Sequence, residues 1–408
     1  MRDAGTLQEI LHSTEGRRDP YPIYAELHAL GPVLTVEGPH RFQAMVHGYD
    51  AVNQLLRDPG FRVQDSDELD RLNRQWRDHP IQSMLMRSMF FMNEPRHSQL
   101  RRIFSQVFTP AGMKAFAPTI VDIVDRHLDH LAELGADGAP VDFMSEFGIK
   151  VPGDVISELM GVPKEDRAWF MPRVQAFSAT IDLGVSPADV LELGDRSALE
   201  LAEFFTDLLA RNRKAPRNNL MTDLDRVYRE AGLDDRELVA GLITFFNAGV
   251  VTTSHLFGNG IALLLGHPAA VAALAEDPGP AVGYVEEILR FEAPTHIAVR
   301  WTREDQELLG TAIPARSSVL VLVAAAGRDP SRYDRPDTFD PFRKNVRPLT
   351  FGGGPHYCLG HMLSRMEGQI GFSRLLKRFP DLSIVGTPTM LERYTMRGYG
   401  TLPVTLSA

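Results

Sequence analysis

Cys358, the one cysteine of this 408-residue chain, stands in Phe351-Gly352-Gly353-Gly354-Pro355-His356-Tyr357-Cys358-Leu359-Gly360. Cysteine acts as ligand or nucleophile through its thiolate, and the unpaired N–H groups of a helix N-terminus favour that anion. From Leu359 the apolar residues Met362, Leu363, Met366, Ile370, Leu375 and Phe379 recur at helical spacing until Pro380 stops them. A helix is therefore expected to begin at the cysteine. Gly352, Gly353 and Gly354 permit backbone conformations closed to other residues and let the chain approach a flat ligand, while Pro355 stiffens the turn. A solitary thiol is by default a small buried apolar group, but a loop of this composition argues for ligand chemistry. One cysteine excludes a Cys/His zinc cluster, a four-thiolate iron–sulfur cluster and an internal disulfide. It leaves two roles, axial ligand of a haem iron or nucleophile.

The residues carry a resemblance. Phe351, Gly354, Cys358 and Gly360 match the haem-ligand signature F-x-x-G-x-x-x-C-x-G of the cytochrome P450 family, and Arg365 and Glu367 continue it. The resemblance extends over nearly the whole chain, from Asp19-Pro20-Tyr21-Pro22 to Leu402-Pro403-Val404. It implies haem b as cofactor, with Cys358 on the iron and Phe351 and Gly352 beside the porphyrin. The haem's two propionates need cations, and the family's positions for them hold His97, Arg101, Arg300 and His356 here. Each of these alone would read as a solvated surface charge.

Glu287 and Arg290 stand three apart on one helical face, which alone describes a routine surface ion pair. The resemblance makes them the family's E-x-x-R, with Arg343 of Phe339-Asp340-Pro341-Phe342-Arg343 as a second guanidinium on the same carboxylate, all three bracing the ligand loop. Ala248-Gly249-Val250-Val251-Thr252-Thr253 resembles the family's oxygen-binding A-G-x-[D/E]-T-T except at Val251. The alternative for this stretch is a close helix crossing through small residues. By resemblance Ala248, Gly249 and Thr252 are catalytic, and substrate would meet Met84 to Met92, Thr244, Asn247, His296, Ile297, Ala298, Thr395 and Met396. Val251 departs from the pattern, because an aliphatic side chain cannot relay protons. Asn247 and His255, one turn to either side, are candidates to organise a water path instead.

Hydrophobic residues make up 44% and charged residues 24%, an ordinary soluble composition. No linker, repeat or low-complexity tract divides the chain, so a single domain over 1–408 is expected. The net charge of −10 argues against nucleic-acid binding, and the strong preference for arginine over lysine suggests a high-GC bacterial genome. Arg2-Asp3-Ala4-Gly5 shows neither an apolar leader nor an anchor, and the expectation is a cytoplasmic protein with no membrane association. Leu242 to Leu265 is long and apolar, but Asn247, Thr252, Thr253, Ser254, His255 and Asn259 interrupt it, which favours a buried core helix.

Helical patterns run over Pro20 to Leu30, Ala51 to Leu56, Arg96 to Phe108, Ile120 to Glu133, Ser197 to Asn212 and Arg236 to Leu265. Strand patterns occupy Val33 to Val36 and Phe42 to Val46 around Glu37-Gly38-Pro39, then Gln306 to Ile313, Val319 to Ala324 and Leu402 to Leu406. Arg211 to Asn219 reads as a surface loop. The fold class is mainly α with small β-sheets, and the resemblance implies the cytochrome P450 fold with haem between the long central helix and the cysteine loop. It further implies a monooxygenase that takes electrons from a ferredoxin and ferredoxin reductase and oxidises a mostly apolar small molecule, with bacterial natural-product biosynthesis as setting. Arg343, Lys344, Arg347 and Arg365 form the expected docking patch for the acidic ferredoxin. A peroxide-driven peroxygenase, a non-catalytic haem-binding protein and a cofactor-free cysteine hydrolase stand as alternatives.

Overall fold

Asp234 accepts a hydrogen bond from the Arg236 N–H, Asp235 and Glu237 follow in the first turn, and the helix they open runs from Asp235 to Leu265. Such oxygens satisfy the N–H groups a helix start leaves free and complement its dipole. The computed structural model describes residues 2–38, 40–72, 74–182 and 188–406; Pro39 of the expected turn lies outside the described residues. At 1.5 Å per residue the 31-residue helix is about 46 Å long. It is apolar on every side because it is packed on every side, against helices Lys150–Met160, Arg167–Ala179, Ala188–Lys214, Ala281–Phe291 and His361–Arg378. Length and composition would let it cross a membrane, yet 67% of its most apolar window is buried inside the protein. It is the core helix that the interrupted pattern predicts.

A five-stranded sheet flanks the helices in the order Val33–Thr35, Ala44–Val46, Ser318–Leu322, Ile297–Thr302, Phe61–Arg62. Its middle pair, Ala44–Val46 with Ser318–Leu322, is parallel and its other pairs are antiparallel. Ser318–Leu322 is buried at every position, so it reads as a continuous apolar run rather than an alternating one. No strand was expected over Ile297–Thr302, a stretch that held candidate substrate contacts and the propionate cation Arg300. As a strand it points Ala298 and Arg300 to one face, because side chains two apart share a side. The Gln306 to Ile313 stretch forms a hairpin of Gln306–Leu308 and Thr311–Ile313 whose two-residue turn, Leu309-Gly310, has positive φ at both positions.

Several boundaries differ from expectation: helix Ile120 to Glu133 starts earlier, at Pro110, helix Ser197 to Asn212 starts at Ala188, and the Val319 to Ala324 strand ends at Leu322, where the short helix Val323–Ala326 begins. The helix after the cysteine starts at His361, not at Cys358. The Cys358 N–H is used by the Phe351 carbonyl at 2.8 Å, which closes the ligand loop, and Leu359 and Gly360 make a further turn before the helix. The polar stretch from Arg211 is helical as far as Lys214, because Arg213 bonds both Asp225 and Asp235 and ties this helix to the next two.

Candidate active site

A cavity of about 350 Å³ separates the central helix from the ligand loop. The loop forms one wall, with Phe351, Gly352, His356, Cys358 and Gly360 lining it. Gly354 has φ +60, and a Cβ there would come within 2.5 Å of the Leu56 carbonyl oxygen, so the loop's path itself demands glycine. Gly360 differs. Its φ of −83 suits any residue, and a Cβ there would meet no protein atom within 4 Å, so the missing side chain keeps the cavity clear beside the thiol.

Burial raises the Cys358 thiol above its usual pKa, against the Gly360 N–H and the charges of Arg101 and Arg365, which lower it. A bound metal cation deprotonates such a thiol outright.

The four expected cations converge on this cavity from three elements. His97 and Arg101 lie one turn apart on helix Arg96–Val107, Arg300 comes from strand Ile297–Thr302, and His356 from the loop. The His97 and His356 rings lie 4.0 Å apart, centroid to centroid. Burial, with the neighbouring His97, Arg300 and Arg101, drives His356 down to about 3, and burial likewise lowers His97. His97 Nδ1 is buried without a hydrogen bond, the Glu94 carboxylate standing 3.5 Å away. Arg300 is 9% exposed, its guanidinium donates to the adjacent Val299 carbonyl, and burial lowers it to about 10. Among the described residues neither arginine has a carboxylate partner. One buried and one half-buried guanidinium, with two imidazoles beside them around one cavity, call for a bound dianion, since buried charge without a partner is costly. The donor set and the cleared cradle fit haem b.

The opposite wall is the central helix, through Phe245, Ala248, Gly249, Thr252 and Thr253. The helix is unbroken here, and the Thr252 hydroxyl donates to the Ala248 carbonyl at 2.8 Å. A Cβ on Gly249 would come within 3.1 Å of Ile156, so this glycine also admits the neighbouring helix. Val251 faces away, into a second cavity that His255 also lines.

Of the expected substrate positions, Ala298 lines the main cavity, as do Met89 and Phe90 from the Met84 to Met92 segment. Others are engaged elsewhere. Thr244 donates to the Ala240 carbonyl, Asn247 to Val174, and His296 pairs through Nδ1 with the Tyr24 hydroxyl. Thr395 is bound to Asp182, Met396 bridges to Thr295, and Ile297 packs in the core. Asn247 and His255 therefore do not open on the main cavity.

Sequence reasoning treated Glu367 only as part of a signature. It lines the main cavity, is buried, has no hydrogen bond at Oε2, and burial raises its pKa well above the carboxylate range. Its signal was a carboxylate on the apolar face of a helical pattern, at i+4 from Leu363. Phe245 could have been found as the residue one turn before Ala248.

Glu287 and Arg290 are fully buried, not a surface pair. Arg290 grips the carboxylate with two bonds of 2.7 and 2.6 Å, Arg343 adds one of 3.2 Å and the Asp340 N–H one of 2.9 Å. The remaining guanidinium N–H groups donate to the Gly327, Pro336 and Thr338 carbonyls and, from Arg343, to Asp334 and Arg335. This network fixes the backbone that leads into the ligand loop.

Comparison with known proteins agrees with this arrangement. The sequence model of the family described as Cytochrome P450 matches residues 7–167 and 192–393. Vitamin D(3) 25-hydroxylase of Pseudonocardia autotrophica is 36% identical, covering 100% of this chain and 98% of that protein. Cytochrome P450 monooxygenase PikC of Streptomyces venezuelae is 35% identical over 95% of this chain and 91% of its own. The crystal structure of P450BioI in complex with an acyl carrier protein bearing hexadec-9Z-enoic acid superposes with a TM-score of 0.88 at 29% identity, covering 96% of this chain and 100% of that one. The chain belongs to the cytochrome P450 family and has its mainly helical fold. As in its relatives, the cofactor is haem b and the enzyme class is the monooxygenase, an oxidoreductase acting on small molecules.

Proposed function

We propose that this enzyme hydroxylates or epoxidises a mostly apolar natural product in the bacterial cytoplasm, as one domain, with electrons from a ferredoxin and its reductase. The observation that carries the reading is the convergence of Arg101 and Arg300, neither with a carboxylate partner among the described residues, and of the imidazoles of His97 and His356 on the cavity that Cys358 lines. When bound, haem supplies the reduction of dioxygen and the transfer of one oxygen atom. Cys358 holds the iron, the four cationic positions hold the propionates, and the Glu287 network keeps the loop in place. Thr252 can turn its hydroxyl from the Ala248 carbonyl toward the cavity. Met89, Phe90, Phe245, Leu289 and Ala298 give the substrate space an apolar surface. The named relatives that hydroxylate vitamin D(3) or act as a monooxygenase support the reaction class.

Two of the four basic residues expected at the electron donor's docking face are engaged in ion pairs. Arg343 and Arg365 are held by Glu287 and Glu286. Lys344 and Arg347 are exposed beyond the loop, and exposed Arg57 reaches Gly353 of the loop itself. These three form the positive face proposed to steer an acidic ferredoxin. Reduction by ferredoxin is expected to slow as salt rises, with screening over roughly 8–10 Å at physiological ionic strength, and to slow again in a Lys344→Glu, Arg347→Glu double variant. A rate indifferent to both would place the donor elsewhere.

The deciding experiment is the spectrum of the reduced carbon monoxide complex. Thiolate ligation gives a strongly red-shifted Soret band, and Cys358→Ser is expected to lose it; retention would falsify the assignment. Val251 favours a second reading, peroxide-driven turnover. Product per electron should fall and peroxide release rise in Thr252→Ala if the dioxygen route operates. Peroxide-driven turnover undiminished in that variant, at the rate of the reductase-supported system, would establish the peroxygenase instead.

A further inference from the structure

The turn of the central helix that shows Thr252 to the main cavity shows Val251, Ser254 and His255 to a second one, of about 300 Å³. His255 is 3% exposed, lines this cavity, and has no hydrogen-bond partner for either ring nitrogen. An unsatisfied buried polar group costs about 1–3 kcal/mol. Its seat is shaped for it, because a Cβ on Gly398 would come within 2.1 Å of Nδ1. Burial first, and then the charge of Arg393, hold this imidazole neutral with a pKa of about 3. A neutral imidazole has one N–H to donate.

Arg393 lines the same cavity, and its guanidinium gives one N–H to Ser178 Oγ at 3.0 Å; no other hydrogen bond of that guanidinium is found among the described residues. Asp182 also feels this charge, but its carboxylate accepts from the Tyr394 and Thr395 N–H groups and the Thr395 hydroxyl. A guanidinium's fork of parallel N–H groups matches the two oxygens of a carboxylate. Met144 and Leu391 give the cavity its apolar side.

From this geometry we propose that the second cavity is a binding site for a small aliphatic monocarboxylate. Arg393 and His255 hold the carboxylate, and the chain lies along Met144 and Leu391. The site is coupled to the main cavity. Arg393 lies two residues before Thr395, whose carbonyl accepts from His296 and Ile297 N–H, and Met396 bridges to Thr295, a residue of the main-cavity wall. Occupation therefore fixes the segment that borders the substrate space and acts as an effector of it.

The test is calorimetric titration of the haem-loaded protein with hexanoate, with imidazole saturating the iron so that the main cavity is blocked. Saturable one-site binding is expected, with hexan-1-ol at least about tenfold weaker. Arg393→Gln should weaken hexanoate at least about tenfold. His255→Leu removes two unpartnered nitrogens, so it keeps the fold, and it should weaken hexanoate by about threefold or more. No binding to the wild type, equal binding of the alcohol, binding abolished by imidazole, or an affinity unchanged in both variants would each overturn the site. None of these outcomes touches the thiolate spectrum, which tests the enzyme class separately.

Discussion

At the scale of single residues, two buried carboxyls contrast, one in the network behind the ligand loop and one on the cavity wall. Glu287 meets two guanidinium groups and an N–H, whereas Glu367 has no bond at Oε2 and is held protonated by burial. A carboxyl that is already neutral loses little by becoming an amide. Glu367→Gln is expected to change stability to urea by less than about 1 kcal/mol and to remove a protonated-carboxyl band from the infrared difference spectrum. Glu287→Ala leaves two buried guanidinium groups without their anion and should cost about 3–5 kcal/mol, a loss too large for the surface pair its spacing alone suggests. If the urea midpoints of the two variants moved equally, the contrast would be wrong. The cysteine loop was legible from residues alone because glycines and a lone thiol leave few uses. The state of Glu367 was not, since it depends on what covers it in three dimensions.

At the scale of elements, the central helix announced itself and one central strand of the large sheet did not. The central helix carries its own start signal in Asp234 and its own apolar run, so sequence located it within a residue at each end. Strand Ile297–Thr302 has no start signal of comparable strength, and its edge partner Phe61–Arg62 comes from a distant part of the chain. The six substrate positions that point elsewhere follow from the same cause: spacing gives a residue's element, but neighbouring elements decide which face is open. The hairpin turn Leu309-Gly310 yields a prediction at this scale. Leu309 sits at φ +48 with half its surface exposed, a conformation that asparagine tolerates better than leucine. Leu309→Asn should raise the thermal midpoint, by about 1 kcal/mol in stability; a lower midpoint would show that leucine makes a contact worth more than the strain.

For the whole molecule, buried histidines set the response to acid. His47 and His255 are pushed to about 3 by burial, and His296 lies well below its usual value for the same reason. In the unfolded chain each takes a proton near pH 6.5. Between about pH 6.5 and 3 the unfolded state therefore binds more protons, so stability falls as pH falls, by up to about 1.4 kcal/mol per pH unit for each histidine. Urea midpoints measured from pH 7 down to 4 should show this decline, and His47→Leu should make it shallower. An identical slope in the variant would mean that His47 is charged in the native protein.

The parallel pair at the middle of the large sheet joins Ala44–Val46 to Ser318–Leu322, and Gln43 accepts from the Ser318 N–H across 275 residues of chain. Closing a loop of that length is slow and depends on nearly everything between already being made. Helices can gather early around Asp235–Leu265, and Ile297–Thr302 can pair with Ser318–Leu322 across the short stretch between them, but the sheet that carries Arg300 is complete only when Ala44–Val46 docks. The long closure is therefore expected to set the edge of the cofactor's cradle late. Pulse-labelled hydrogen exchange during refolding should find Ala44–Val46 protected after the central helix, and early protection of that strand would reverse the order.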